Sequence, residues 1–234
     1  MLFCYKIKII FLVSTLTVLQ LCTIAFAQVH PVKKPAIYWQ QVKADSLHKM
    51  IEIKTFIPGV IYDLRYATTN NFTHTKLYKN GTSGFLRLPV VQALQKIQND
   101  LTEKGYGIKI FDAYRPYAVT KKMWDLIHDD RYVADPAKGS GHNRGLSIDL
   151  TIVHLKDKSE LDMGTGFDNF TDTAHHIFKE LPLTVLQNRS LLKETMEKYG
   201  FKALDTEWWH YSWPNDRNYD VLDIDFKKLA KSPH

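Results

Sequence analysis

Apolar and polar residues alternate cleanly from Leu146 to Ile152: Leu146, Ile148, Leu150 and Ile152 are apolar, with Ser147, Asp149 and Thr151 between them. A period of two predicts a strand with one face on a core and leaves Asp149 facing either solvent or a cleft. Just upstream, Gly141 and Gly145 flank His142 in a predicted loop whose backbone can approach whatever the imidazole faces. Elsewhere the period is helical. After Pro89, the positions Val91, Leu94, Ile97 and Leu101 form one stripe, and Gly105 lies past its end. Further helices are predicted over residues 117–129, around 175–181 and over 185–199, with a weaker one over 37–53 that Asp45 or Ser46 would cap. Strands are predicted over 60–68, over 108–111 and over the aromatic run EWWHYSW at 207–213. Long polar loops separate these elements, with a turn signal at Asn80-Gly81. The irregular alternation predicts a single α+β domain with a mainly antiparallel sheet and flanking helices.

The amino terminus breaks the pattern. Lys6 and Lys8 precede an apolar run from Ile9 to Leu19, and Ala25-Phe26-Ala27 forms an A-x-A site before Gln28. That is the form of a secretory signal peptide over 1–27, followed by a lead-in over 28–58 and the main domain over 59–234. An uncleaved anchor is the competing reading, although Ser14, Thr15, Thr17, Gln20 and Thr23 dilute the apolar stretch. Cleavage would lower the formal net charge from +6 to +4 by removing the two lysines, and would take both cysteines, Cys4 and Cys22. The mature chain would then have no disulfide, would hold any metal through nitrogen and oxygen, and would keep no stable membrane insertion. The remaining cations are scattered among acids, a distribution that gives no reason to expect nucleic acid as a partner. An exported, periplasmic protein is expected.

His142 and Asp149 are borderline and hard donors that suit zinc, and a catalytic zinc takes three protein ligands with one position left open. His210 is the natural third ligand, because Glu207 lies three residues before it and hydrolysis needs a general base beside the metal. In a regular strand, positions i and i+3 face opposite sides, so Glu207 must enter through a bend or bulge. The competing reading is plainer: a solvated Asp149, a loop His142 and a core His210 in an aromatic strand. His154, His175 and His176 are surplus to the ligand set, and Trp208, Trp209 and Trp213 read as core or pocket wall.

Taken together, S-x-H-x6-D and E-x-x-H resemble the zinc peptidases that cut D-alanyl peptides. The resemblance is strongest to the D-alanyl-D-alanine dipeptidase family of the vancomycin-resistance type. It extends through DLRYATTNNFT (63–73), DAYRP (112–116), SGHNRGLSIDLT (140–151), DMGTGFD (162–168), His175-His176 and EWWHY (207–211), in that order. The resemblance implies the D-Ala-D-Ala metallopeptidase or hedgehog-like scaffold and one zinc per subunit on His142, Asp149 and His210. It also implies Glu207 as catalytic base and Arg115 as the group stabilising the oxyanion. A residue before proline is held extended, so Arg115 should project in a fixed direction. Its permanent charge suits an oxyanion that exists only in the transition state. The plainer reading of Arg115 is a surface salt bridge with Asp112.

The resemblance further implies that Asp168 binds the substrate amine and that Ser140 and Tyr66 line the substrate pocket. The expected substrate is the free D-Ala-D-Ala dipeptide. A longer peptide would bring a neutral amide to Asp168 and leave its carboxylate unpaired, which is costly in a confined pocket. Two alternatives stand beside this expectation: a D,D-carboxypeptidase or endopeptidase acting on wall peptides, and a non-catalytic zinc module. Gly141 departs from the family pattern, in which a second serine is expected, and the missing hydroxyl should weaken carboxylate binding or widen tolerance at the C-terminal residue.

Overall fold

The computed structural model describes residues 29–79 and 82–231, so the expected signal peptide and the Asn80-Gly81 turn lie outside the described residues. Its elements run α1 (Pro35–Ala44), β1 (Met50–Glu52), α2 (Ile53–Phe56), β2 (Ile61–Tyr62), β3 (Phe85–Arg87), α3 (Leu88–Glu103) and β4 (Tyr106–Asp112). There follow α4 (Tyr117–Leu126), α5 (Gly141–Arg144), β5 (Ser147–His154), α6 (Leu183–Lys198), β6 (Lys202–Leu204), β7 (Glu207–Ser212) and α7 (Phe226–Leu229). Five strands form a sheet in the order β2-β4-β5-β7-β6, in which only the β2–β4 pairing is parallel. The α+β class and the mainly antiparallel sheet are as the residue pattern predicts. No helix among the described residues is long and apolar enough to cross a membrane.

The alternation in β5 is what joins core to site. Ile148, Leu150 and Ile152 are fully buried in a cluster with Val90, Val91, Leu94, Ile97 and Leu101 of α3. The helix begins with proline in its first turn, where the missing N–H costs nothing, and it lies directly against β4. Asp149 and Thr151 on the alternate positions are buried too, so this face meets a cleft and not solvent. A second cluster around Tyr66, Tyr78, Tyr114, Met123, Leu222 and Phe226 packs the other loops.

Several local expectations are corrected. The helix expected at 37–53 breaks into α1, a 3-10 turn at Ser46–His48 capped by Asp45, the short β1 and α2. Of the strand expected at 60–68, only Ile61–Tyr62 pairs, after which Arg65–Ala67 forms a 3-10 turn. The helix expected around 175–181 is absent: a 3-10 turn spans Asp172–Ala174, and His175 turns to extended backbone. Leu181 precedes Pro182, which disfavours helix there, and Ile177 is 75% exposed, so the segment has no apolar face to bury. His142 stands on the helical turn α5, not in a loop. The lead-in also makes ordered contacts, since Val32 bridges Leu222 and the Tyr38 hydroxyl accepts a 2.8 Å hydrogen bond from the Met50 N–H.

Arg87, fully buried at the end of β3, ties these parts together. Its guanidinium donates to the carbonyls of Arg144 (2.7 Å), Asp220 (3.3 Å) and His48, and lies 5.0 Å from the Tyr219 ring. Burial lowers its pKa to about 10, which still leaves it a cation at neutral pH. Replacing it with methionine would orphan those carbonyls. Arg87→Met is expected to destabilise the fold by about 3 kcal/mol in denaturant unfolding, and an unchanged midpoint would contradict this account.

Candidate active site

Strand register places the acids. Asp149 in β5 pairs with Asp112 in β4 on one side and with His210 in β7 on the other, so the three residues form a row across the sheet. His142 joins the row from α5, whose geometry is set by a reciprocal cap. The Ser140 hydroxyl accepts from the Asn143 N–H (3.1 Å), and the Asn143 side chain accepts from the Ser140 N–H (3.0 Å). Gly145 ends the turn in the left-handed region at φ 71°, a conformation that favours glycine. Asn143 also donates to the Arg115 carbonyl (2.8 Å), and the Arg115 N–H donates to the His142 carbonyl (3.2 Å). The DAYRP segment and the histidine turn are thus locked to each other.

The three expected ligands come together. His142 Nε2, Asp149 and His210 Nδ1 are separated by 3.4 Å (Nε2 to Oδ2), 2.9 Å (Oδ1 to Nδ1) and 3.2 Å (Nε2 to Nδ1). Tetrahedral zinc with bonds of about 2.0–2.1 Å holds its ligand atoms about 3.3 Å apart, so the donor set fits that ion in both chemistry and spacing. Their outer faces are bound as well. His142 Nδ1 donates to the Ala113 carbonyl at 2.7 Å, which leaves the Nε2 lone pair pointing inward. Burial raises the Asp149 carboxyl, but the His142 and His210 imidazoles outweigh it and hold the group below the ordinary carboxylate range.

Glu207 reaches the same cleft by the bulge its spacing requires. The β6–β7 register runs Ala203↔Tyr211 and then Leu204↔Glu207, so β7 carries extra residues between Tyr211 and Glu207. A Glu207 carboxylate oxygen lies 3.9 Å from His210 Nδ1. Burial first, and then the neighbouring Asp149 and Asp168 charges, raise its affinity for a proton well above the ordinary glutamate range.

Arg115 is buried beside Asp112, with Nη2 at 2.8 Å and Nε at 2.9 Å from Oδ2. Burial alone would weaken its hold on its proton, but Asp112 and the other acidic neighbours outweigh burial and keep it a firm cation. The same Nη2 lies 3.8 Å from Asp149, and the guanidinium sits 4.9 Å from the Tyr66 ring. The pairing with Asp112 is therefore real but not superficial: it lies inside the site, with the Tyr78 hydroxyl donating to Asp112 at 2.6 Å. Tyr78 and Asn143 carry no signal recognised from the sequence, although S-x-x-N at 140–143 has the spacing of a cap.

Tyr66, Ser140 and Asp168 line the same cleft of about 380 Å³, together with Tyr132 and Trp209. Asp168 holds a left-handed backbone at φ 59°, accepts from the Tyr66 hydroxyl at 3.0 Å through Oδ1, and has its Oδ2 sealed from solvent without a partner of normal geometry. The left-handed region is one that Asp adopts more readily than most side chains. His175 and His176 lie elsewhere, the latter beside Tyr211 with its N–H donated to the Asp205 carbonyl.

The profile of the M15 peptidase family described as D-ala-D-ala dipeptidase matches residues 46–229. The chain belongs to this family. It is a peptidase. The D-alanyl-D-alanine dipeptidase of Escherichia coli K12 is 32% identical over 180 residues, which cover 76% of this chain and 91% of that protein. The D-alanyl-D-alanine dipeptidase of Enterococcus faecalis V583 is 31% identical over 65% of this chain and 85% of its own length. Among solved structures, a mutant of a vancomycin resistance D,D-pentapeptidase in complex with Zn(II) aligns at 15% identity and a TM-score of 0.38. That match covers 65% of this chain and 88% of that one, a likeness too distant to place any side chain.

Burial pushes the Asp168 carboxyl up to about 7, against the Tyr66 hydrogen bond that favours its charge. A carboxyl that binds its proton more tightly when folded favours the folded state at low pH and loses that contribution as pH rises through about 7. Asp168→Asn is therefore expected to stabilise the metal-free protein at pH 8 by up to about 4 kcal/mol, a gain that shrinks towards pH 5. Chemical denaturation at the two pH values measures it, and a loss of stability at pH 8 would refute the account.

Proposed function

We propose that this peptidase hydrolyses the free D-alanyl-D-alanine dipeptide to two D-alanines, with one zinc per subunit held by His142, Asp149 and His210. The observation that carries the proposal is the convergence of those three donors at ligand spacing beside Glu207, Arg115 and Asp168 in one cleft. Zinc held there supplies Lewis acidity to the scissile carbonyl. Glu207 takes a proton from the attacking water and passes it to the leaving amine, a task suited to a buried carboxylate with raised proton affinity. Arg115, steadied by Asp112 and lying across Tyr66, stabilises the oxyanion.

Asp168 sets the length of the substrate. The cleft volume would admit more than a dipeptide, so size alone does not exclude longer chains. The Asp168 carboxyl does so electrostatically: a free ammonium pairs with its charge, and the neutral amide of a longer peptide leaves that charge unmatched in the cleft. This favours the dipeptidase over a D,D-carboxypeptidase or endopeptidase on stem peptides, where the cleaved unit has no free amine. Retention of Glu207 and Arg115 argues against a non-catalytic zinc module, which needs neither.

The Lys6, Lys8, apolar run and Ala25-Phe26-Ala27 support export to the periplasm, and with it a role in turnover of wall peptides or recovery of their D-alanine. Glycopeptide resistance is the other role open to this activity, and an exported enzyme is awkwardly placed to deplete a cytoplasmic precursor pool.

Incubation of the zinc-loaded protein with D-Ala-D-Ala, its L,L and mixed isomers and a pentapeptide stem tests the reading. The D,D dipeptide is expected to be cleaved and the pentapeptide spared; the opposite result would overturn it. Glu207→Ala is expected to retain stoichiometric zinc and lose about 10²–10⁴-fold in kcat. Loss of zinc from that variant would make Glu207 a ligand and not the base.

A further inference from the structure

The outer face of His210 has a partner that the proposed mechanism does not use. Its Nε2 lies 3.0 Å from Ser212 Oγ, and Ser212 Oγ lies 2.7 Å from Ser147 Oγ. Ser212 is two residues beyond His210 in β7, so both side chains leave the same face of the strand. Ser147 pairs directly with Ser212 across the β5–β7 ladder and is fully buried. Two strands thus present two hydroxyls and one imidazole in a line.

Gly141 belongs to the same unit. A Cβ built at this position would lie 1.9 Å from Ser147 Oγ and 3.1 Å from Ser147 Cβ. Any side chain there must drive the Ser147 hydroxyl away, and with it the group that anchors Ser212. The serine expected at 141 is therefore not simply missing: its space is taken by the Ser147 hydroxyl, arriving from the strand.

We infer that Ser212, anchored by Ser147 in the space that Gly141 leaves free, is the positioning residue that holds the His210 ring with Nδ1 towards the metal site. This rests on the metal reading above. With Nδ1 turned to the ion, Nε2 carries the ring hydrogen and donates it to Ser212 Oγ, and the Ser212 hydroxyl hydrogen passes to Ser147 Oγ. A hydroxyl can donate or accept, so the pair takes this direction once the ion fixes the tautomer, and what the pair itself holds is one ring rotamer of His210. His142 has the mirror arrangement, with Nδ1 donated to a backbone carbonyl and Nε2 inward. A carbonyl can only accept, so His142 is fixed by the main chain. The outer face of His210 depends on side chains.

Zinc affinity measured by chelator competition, beside the thermal midpoint of the metal-free protein, separates positioning from folding. Ser212→Ala is expected to weaken zinc binding about tenfold or more with little change in that midpoint, and Ser212→Thr to keep most of the affinity. Gly141→Ala should weaken zinc like Ser212→Ala, and adding Ser147→Ala to it should bring affinity back to the level of Ser147→Ala alone by removing the clash. In zinc-loaded wild type, the ¹⁵N shifts of His210 should show the Nε2–H form, with the Nε2 proton exchange-broadened in Ser212→Ala. Wild-type affinity in both Ser212→Ala and Gly141→Ala would overturn the inference while leaving the metal site intact. A wild-type protein that takes up no zinc would overturn the metal assignment itself. If Ser212→Ala fails to fold, Ser147→Ala carries the test, with an expected smaller loss of affinity and a broadened His210 signal.

Discussion

Four carboxyl groups, Asp112, Asp149, Asp168 and Glu207, are gathered around a single buried guanidinium, that of Arg115. Removing one ion from water costs several kcal/mol even after relaxation, so this grouping is the most demanding feature of the fold. The compensation is uneven. Asp149 has two imidazoles and stays readily ionised; Asp112 has Arg115 and the Tyr78 hydroxyl, although burial outweighs them and still raises its proton affinity. Asp168 and Glu207 are left short of positive charge, and both hold protons more tightly than an ordinary acid. A dication among the ligands and an ammonium at Asp168 are the charges that would correct the imbalance. On the proposed function, the same deficit that costs stability is what selects the guests.

Holding such a cluster requires a frame that cannot relax around it. The row Asp112–Asp149–His210 is set by pairing across three strands, with a register shift between Ile110 and Asp112 in β4 that brings Asp112 opposite Asp149. His142 is less secure, on a helical turn of four residues that would not persist alone. Three devices hold it: the Ser140–Asn143 cap, the crossed bonds between α5 and Arg115, and Arg87 gripping the Arg144 carbonyl from behind. The distal elements are thus part of how a histidine is aimed.

Residue pattern was most legible where the period was pure. Asp149 could be placed opposite the core because its alternate neighbours are all apolar, and α3 could be placed because its stripe is unbroken. Segments of two to four residues, such as β2, β3 and α5, carry too few positions to display a period. The segment after Ala174 misled for a different reason: Ile177 and Leu181 have helical spacing, but one is exposed and the other precedes proline. For Glu207, the chemistry of the motif demanded a bulge that the residue pattern alone did not show.

Gly141 is the sharpest case of what spacing cannot convey. Read along the chain, it is an absent hydroxyl beside a ligand. Read across the sheet, it is room for a hydroxyl arriving from six residues later, which pairs with another from β7. That hydroxyl supports the back of His210 through Ser212. Positions 141, 147 and 212 are therefore constrained as a group. A side chain at 141 displaces the Ser147 hydroxyl, the displaced hydroxyl no longer holds Ser212, and the imidazole loses the partner that steadies its ring. A glycine that looks like a deletion along the chain is, in space, what leaves room for the hydroxyl pair behind His210.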